Sequence, residues 1–255
     1  MDVYWLEQVE ADVPARDEWL SAGEAACQQA MRLAKRRADW RLGRWTAKRA
    51  LAAYRRLPGD AGTLSQIEIR PAPSGAPEAF LSNQPAAVSV SLSHSSGVAI
   101  CAVAEAGVAL GCDLEVIEPR SPAFIADYFT SEEQELIARA QADQAQLVTL
   151  LWSAKESVLK ALGEGLRLDT RVVIVRPVEA VARREKRLAP ASPRPLPDCA
   201  KASALAVAPP DTFHTWSPLQ ARCTDGRVFH GWWRHTGNLL RTVVTSPPSS
   251  PPLAL

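Results

Sequence analysis

The chain has 255 residues, with 29 Lys plus Arg against 28 Asp plus Glu and a formal net charge of +1. That balance excludes a protein that grips nucleic acid through its overall field, and no apolar run is long enough to span a bilayer. The length suffices for a well-buried core, as one large domain or two small ones.

The first residues, Met1-Asp2-Val3-Tyr4-Trp5-Leu6, lack the basic start and long apolar stretch of a signal peptide. The five cysteines are scattered, with no Cys-x-x-Cys pair and no His/Cys cluster to suggest zinc. Cys101 and Cys112 sit in apolar strand contexts and read as buried thiols. The expectation is a reduced, cytoplasmic protein.

Residues 32–56 hold Arg32, Lys35, Arg36, Arg37, Arg41, Arg44, Lys48, Arg49, Arg55 and Arg56 against the single acid Asp39. Trp40, Ala47, Leu51 and Tyr54 thread an apolar stripe through them, which predicts a basic amphipathic helix. Its basic face fits a solvated surface, a surface for an acidic partner, or a phosphate-binding wall. Apolar runs at Val88–Leu92 and Val98–Val103 predict strands, with Ser91-Leu92-Ser93-His94-Ser95 at their junction. Gly107 predicts a turn into a further strand, Val108–Val116.

In that strand Gly111-Cys112-Asp113-Leu114-Glu115 places Asp113 and Glu115 two residues apart, on one face. Adjacent carboxylates repel unless a cation or a proton lies between them. Hard oxygen ligands suit Mg²⁺, which also binds substrate phosphates. An isolated Asp-x-Glu fits a hydrated strand end equally well.

Thr130–Ala142 reads as a helix with Thr130 or Ser131 as N-cap, and Glu133 can close a capping box there, a role that needs no chemistry. Leu147–Leu162 has helical periodicity, with Leu147, Leu151, Ala154, Val158, Ala161 and Leu162 on the apolar side. Trp152, Glu156 and Lys160 follow one another at four-residue spacing on a neighbouring face, with Lys155 beside them. Glu156 offers a third carboxylate and Lys160 a reach to phosphate, although a solvated Glu-Lys pair has the same spacing. Gly163 and Gly165 end the helix. Val172–Val175 predicts a strand, and residues 177–218, rich in Pro and Ala with the run Arg183–Arg187, predict an irregular connection. Asp225-Gly226 marks a hairpin between Leu219–Thr224 and Arg227–Trp233. A turn at Gly237-Asn238 leads to Leu239–Val244, and the Pro/Ser-rich tail 247–255 is expected to be disordered.

Taken together, the two acidic motifs resemble the 4′-phosphopantetheinyl transferases of the large, Sfp-type class. Their pattern is a Gly-x-Asp-x-Glu strand followed by a Trp-x-x-Lys-Glu-[Ser/Ala]-x-x-Lys-x-x-Gly helix, and here Gly111–Glu115 and Trp152–Gly163 match it in order. Phe129-Thr130-Ser131-Glu132-Glu133 resembles the segment between them, and Ser93-His94 resembles the family's Ser-His pair. One element departs: Gly75-Ala76-Pro77 stands where many members carry a basic residue between Gly and Pro. Ala76 cannot make that phosphate contact, so either another basic residue replaces it or coenzyme A binds less tightly.

The resemblance implies an α+β fold of two similar halves, each a small, mainly antiparallel sheet packed with a long helix, related by pseudo-twofold symmetry. The recurrence of Trp45-Thr46-Ala47-Lys48 as Trp152-Ser153-Ala154-Lys155 agrees with such a duplication. The halves are expected at 1–105, binding coenzyme A phosphates, and 106–246, carrying the metal and catalytic groups. Implied ligands of coenzyme A are Arg37, Arg44, Lys48, Ser93, His94, Lys155 and Lys160. Implied Mg²⁺ ligands are Asp113, Glu115 and Glu156, with Glu156, Lys160 and Lys155 as catalytic groups.

The implied reaction moves the 4′-phosphopantetheine arm of coenzyme A to a serine hydroxyl of an apo acyl or peptidyl carrier protein. Such carriers serve fatty-acid, polyketide or nonribosomal-peptide assembly. A monomer suffices, with no nucleic acid or membrane partner. Two alternatives stand beside it: a Mg²⁺-dependent phosphohydrolase acting on coenzyme A or a related nucleotide, and a non-catalytic coenzyme A or carrier-protein binder. No Walker loop and no dinucleotide glycine fingerprint occurs, which argues against a generic NTPase or dehydrogenase.

Overall fold

A computed structural model describes residues 1–178 and 215–255. In chain order these form β1 (Tyr4–Val9), α1 (Ala22–Gln29), α2 (Ala34–Tyr54), α3 (Ala61–Ser65), β2 (Ile67–Pro71), β3 (Pro77–Leu81), β4 (Gln84–Pro85), β5 (Val88–Ser95), β6 (Val98–Glu105) and β7 (Ala109–Val116). There follow α4 (Pro122–Tyr128), α5 (Ser131–Arg139), α6 (Gln144–Ala161), β8 (Val173–Pro177), β9 (Ser217–Cys223), β10 (Val228–Thr236), β11 (Leu239–Ser246) and β12 (Leu253–Ala254). The fold is mixed α+β. One sheet has the order β12-β1-β6-β5, a second β7-β11-β10-β9-β8, and a small third β2-β3-β4.

Hydrophobic alternation explains how the sheets are covered. β6 is apolar almost throughout because both its faces are buried. Cys101 and Val103 face the core built under α2 by Trp45, Ala47 and Leu51, whereas Ile100, Ala102 and Ala104 face the second sheet. β7 is split differently. Leu110, Cys112 and Leu114 join β6 and β1 in a core between the two sheets. The intervening residues Gly111, Asp113 and Glu115 fall on the opposite pleat, where α6 packs. Gly111 is needed there, because a Cβ would stand 1.8 Å from the Ser157 carbonyl oxygen of α6. The helix backbone therefore lies directly on β7.

The sheets are also joined by polar contacts. The Ser91 hydroxyl accepts from the Cys112 amide at 2.9 Å, and Arg241 of β11 holds Glu7 of β1 through two bonds of 2.6 and 2.7 Å.

Most expected elements are present. The basic helix is α2, the acid-bearing helix is α6, and Asp225-Gly226 turns between β9 and β10, with Gly226 at φ +91°. The expected connection is shortened at its ends, since Pro177 closes β8 and Ser217 opens β9. The rest of it, including Arg183–Arg187, lies outside the described residues. The tail differs from expectation. In place of disorder, residues 253–254 pair with β1 in parallel, and the Leu253 and Leu255 amides donate to the Val3 and Trp5 carbonyls at 2.8 and 3.0 Å. Prolines have no N–H to offer, but these two leucines do, and they meet the free edge of β1.

Candidate functional site

The acid-bearing face of β7 and the polar stripe of α6 meet where the sheets join. Asp113 is buried, and its Oδ1 accepts from Ser93 Oγ at 2.8 Å and from Lys160 Nζ at 2.7 Å. Its Oδ2 is buried with no hydrogen-bond partner. Such an orphaned carboxylate oxygen costs free energy on the order of 1–3 kcal/mol or more unless something fills it. Glu115 accepts from Trp152 Nε1 at 3.1 Å, and its other oxygen faces Arg120 Nη2 at 3.4 Å. Phe124 and Tyr128 pack edge-on against Trp152, with ring centroids 5.0 and 5.2 Å away, and fix the indole. Glu156 lies half-buried one turn before Lys160.

Burial, then repulsion from Asp113, pushes the Glu115 carboxyl up to about 7, against the opposing pull of Trp152 and Arg120. Burial and Asp113 likewise raise Glu156. Burial acts to lower the Lys160 ammonium, but Asp113, Cys112 and Glu156 together outweigh it and hold the lysine charged.

Next to this cluster opens a cleft of about 550 Å³. Trp40, Gly43 and Arg44 of α2 form one wall, Ser91 and His94 of β5 another, and the Ser74–Pro77 loop a third. Lys160 and Arg167 close the far side, with Asp39 and Glu164 also lining it. Lys160 thus touches both the acids and the cleft. Arg44 sits over the Trp40 ring at 5.0 Å, its Nε unpartnered by any hydrogen bond, and burial lowers its pKa.

The family model of the 4′-phosphopantetheinyl transferase superfamily matches residues 109–198. The name is that of a transferase family, and the likeness suggests transfer of phosphopantetheine. The matched stretch supplies Asp113, Glu115, Glu156 and Lys160, and leaves out Arg44, Ser93 and His94. No curated protein matches the chain.

Residues singled out by motif separate into two sets. Ser93, His94, Asp113, Glu115, Glu156, Lys160 and Arg44 lie around the cleft and its acidic end. Three others do not. Lys155 is fully buried on the far side of α6, paired with Glu133 at 2.8 Å and donating to the carbonyls of Thr170 and Val173. Lys48 is fully buried under α2, paired with Glu24 and donating to the Trp19 and Leu64 carbonyls at 2.9 and 3.1 Å. Both ammonium groups are engaged inside the core, and neither lines the cleft. Arg37, exposed near the start of α2, donates to the Met31 carbonyl at 2.9 Å and does not line the cleft.

Among the described residues, no group of three His, Cys, Asp or Glu side chains already stands at metal-ligand spacing. The donor chemistry nonetheless fits a hard divalent cation: two acids with raised pKa values adjoin an unpartnered buried carboxylate oxygen. Motif reasoning missed Arg120 and Arg167. Arg120 lies in the irregular connection between β7 and α4 and Arg167 in the short turn after α6, where no periodicity marks a side chain's direction.

Proposed function

We propose that this chain is a 4′-phosphopantetheinyl transferase of the Sfp type. It moves the phosphopantetheine arm of coenzyme A to a serine hydroxyl of an apo carrier protein. The observation that carries this reading is the Asp113 carboxylate, with one oxygen buried and unpartnered, beside two carboxylates of raised pKa and against a cleft lined by cations. The pseudo-twofold arrangement of residues 1–105 and 106–246 belongs to the same proposal, with a monomer as the working unit.

Asp113, Glu115 and Glu156 would hold the Mg²⁺, which supplies Lewis-acid charge at the pyrophosphate. Arg44, Ser93 and His94 bind and orient the nucleotide phosphates, guanidinium being well matched to phosphate geometry. The carrier serine oxygen forms a bond to the β-phosphorus as the bond to the departing adenosine 3′,5′-bisphosphate breaks. The serine proton passes to Glu156, directly or through a water it orients. Lys160 stabilises negative charge on the phosphates as it moves to the leaving group.

The test is intact-mass spectrometry of apo carrier proteins from fatty-acid, polyketide and nonribosomal-peptide systems, each incubated with the chain, coenzyme A and Mg²⁺, with EDTA controls. A gain of one phosphopantetheine arm, lost with EDTA, is the expected result. Cleavage of coenzyme A without carrier modification would replace the transferase with a phosphohydrolase. Unchanged coenzyme A across the panel would leave a binding protein.

A further inference from the structure

Arg167 reaches across the cleft. It lies in the tight turn Gly165–Arg167 after α6, and its Nη2 donates to the Ser74 carbonyl at 2.6 Å, in the loop between β2 and β3. That carbonyl is a neutral partner for an exposed guanidinium. The loop itself brings no cation: Ser74, Gly75, Ala76 and Pro77 line the cleft, and Arg167 Nη2 stands 3.9 Å from where a Cβ on Gly75 would lie. On the α2 wall, Arg44 is mostly buried, and its Nε is unpartnered by any hydrogen bond. Its nearest acid is Glu24, at 3.8 Å, which is already engaged by Lys48. Two guanidinium groups therefore line one cleft from opposite halves of the chain, and neither has an acid to itself there.

We propose that Arg167 is a phosphate-binding residue of the cleft, exchanging the Ser74 carbonyl for a phosphate of the bound ligand and gripping it together with Arg44. This rests on the coenzyme A reading above. A phosphate offers the guanidinium a full opposite charge and room for two parallel N–H···O bonds, where the carbonyl offers one neutral acceptor, so the ligand wins the exchange. Arg167 thereby supplies, from the second half, the charge that position 76 of the first half lacks.

The experiment is titration calorimetry of the full chain with coenzyme A in Mg²⁺ buffer, comparing wild type with Arg167→Ala, Arg167→Gln and Arg167→Lys at low and high salt. Loss of the charge in Arg167→Ala and Arg167→Gln is expected to weaken binding roughly tenfold, and Arg167→Lys less, with thermal unfolding unchanged. The deficit should shrink as salt rises. Wild-type affinity in both Arg167→Ala and Arg167→Gln would overturn the assignment while leaving the coenzyme A site intact. Wild-type affinity in Arg167→Gln alone would also overturn it, because glutamine keeps a donor for Ser74 but no charge. Failure of the wild type to bind coenzyme A would sink both readings.

Discussion

The two long helices each bury a lysine in the same setting, and they differ one residue later. On α2, Lys48 pairs with Glu24; on α6, Lys155 pairs with Glu133. Each glutamate closes a capping box, with Ser21 in α1 and Thr130 in α5. Each also accepts a strand amide, Ile69 of β2 at 3.2 Å or Val175 of β8 at 2.9 Å. Each ammonium stands near a ring, Trp19 at 5.5 Å or Phe129 at 5.6 Å, and donates to two carbonyls. One carboxylate thus ties a helix start, a strand and a long helix together. The next residue is Arg49 on α2 and Glu156 on α6. Arg49 lies over the Trp45 ring and donates to the Gly59 carbonyl, away from the cleft lining, while Glu156 joins the acids. The lesson is a division of labour. The repeated polar core positions both long helices, and the proposed chemistry falls on residues that this core leaves free.

The largest expected effect comes from breaking the shared feature. Lys155→Met leaves Glu133 buried without its counter-charge and Lys48→Met leaves Glu24 with Arg44 alone at 3.8 Å, and each should cost about 3–5 kcal/mol in urea denaturation. Equal losses would support the equivalence of the two cores. A Lys155→Met variant with wild-type stability but no turnover would return this lysine to the phosphates and refute its structural placement.

Why the lysines misled sequence reasoning is itself instructive. Leu151 and Leu159, four residues on either side of Lys155, are both buried. Four-residue spacing keeps side chains on one helix face, so Lys155 was legible as a core-facing residue; its charge, next to Glu156, argued the other way. Glu133 was correctly placed as a capping residue, but its second oxygen reaches strand Val175 and could not be read from local spacing. The regular elements around the site were legible, because β7 and α6 announce themselves by strict periods of two and about three and a half residues. Arg120 and Arg167 were not, since their positions depend on turns whose path only the packed fold defines. The paired tail failed for a similar reason: composition reports the prolines and not the open edge of β1.

Contrasting the two helices at the position that differs gives the next effect. Glu156→Gln should lower transfer by about 10²–10⁴-fold, the usual contribution of a general base. Asp113→Ala should do at least as much and blunt the dependence on Mg²⁺. Arg49→Gln, altering the corresponding residue of α2, should leave turnover within about twofold and serves as the matched control. Initial rates of carrier modification over a Mg²⁺ series measure all three. Full Mg²⁺-dependent activity in Asp113→Ala would remove that residue from the metal assignment.

The smallest effect is a pH signature confined to the acidic cluster on β7 and α6. In the metal-free chain Glu115 keeps its proton up to about 7, whereas the ordinary value, expected on unfolding, is 4.5. Between those values the folded state binds more protons than the unfolded one, so stability declines as pH rises. The contribution is full below the lower value and gone above the upper one. Glu115→Gln is neutral at every pH and removes it. Thermal unfolding in EDTA from pH 5 to 8 should therefore show wild type losing ground steadily to Glu115→Gln, with the change centred in that window. Parallel curves would mean that Arg120 and Trp152 already compensate the charge, and that the acidic cluster carries no unpaid repulsion for a cation to relieve.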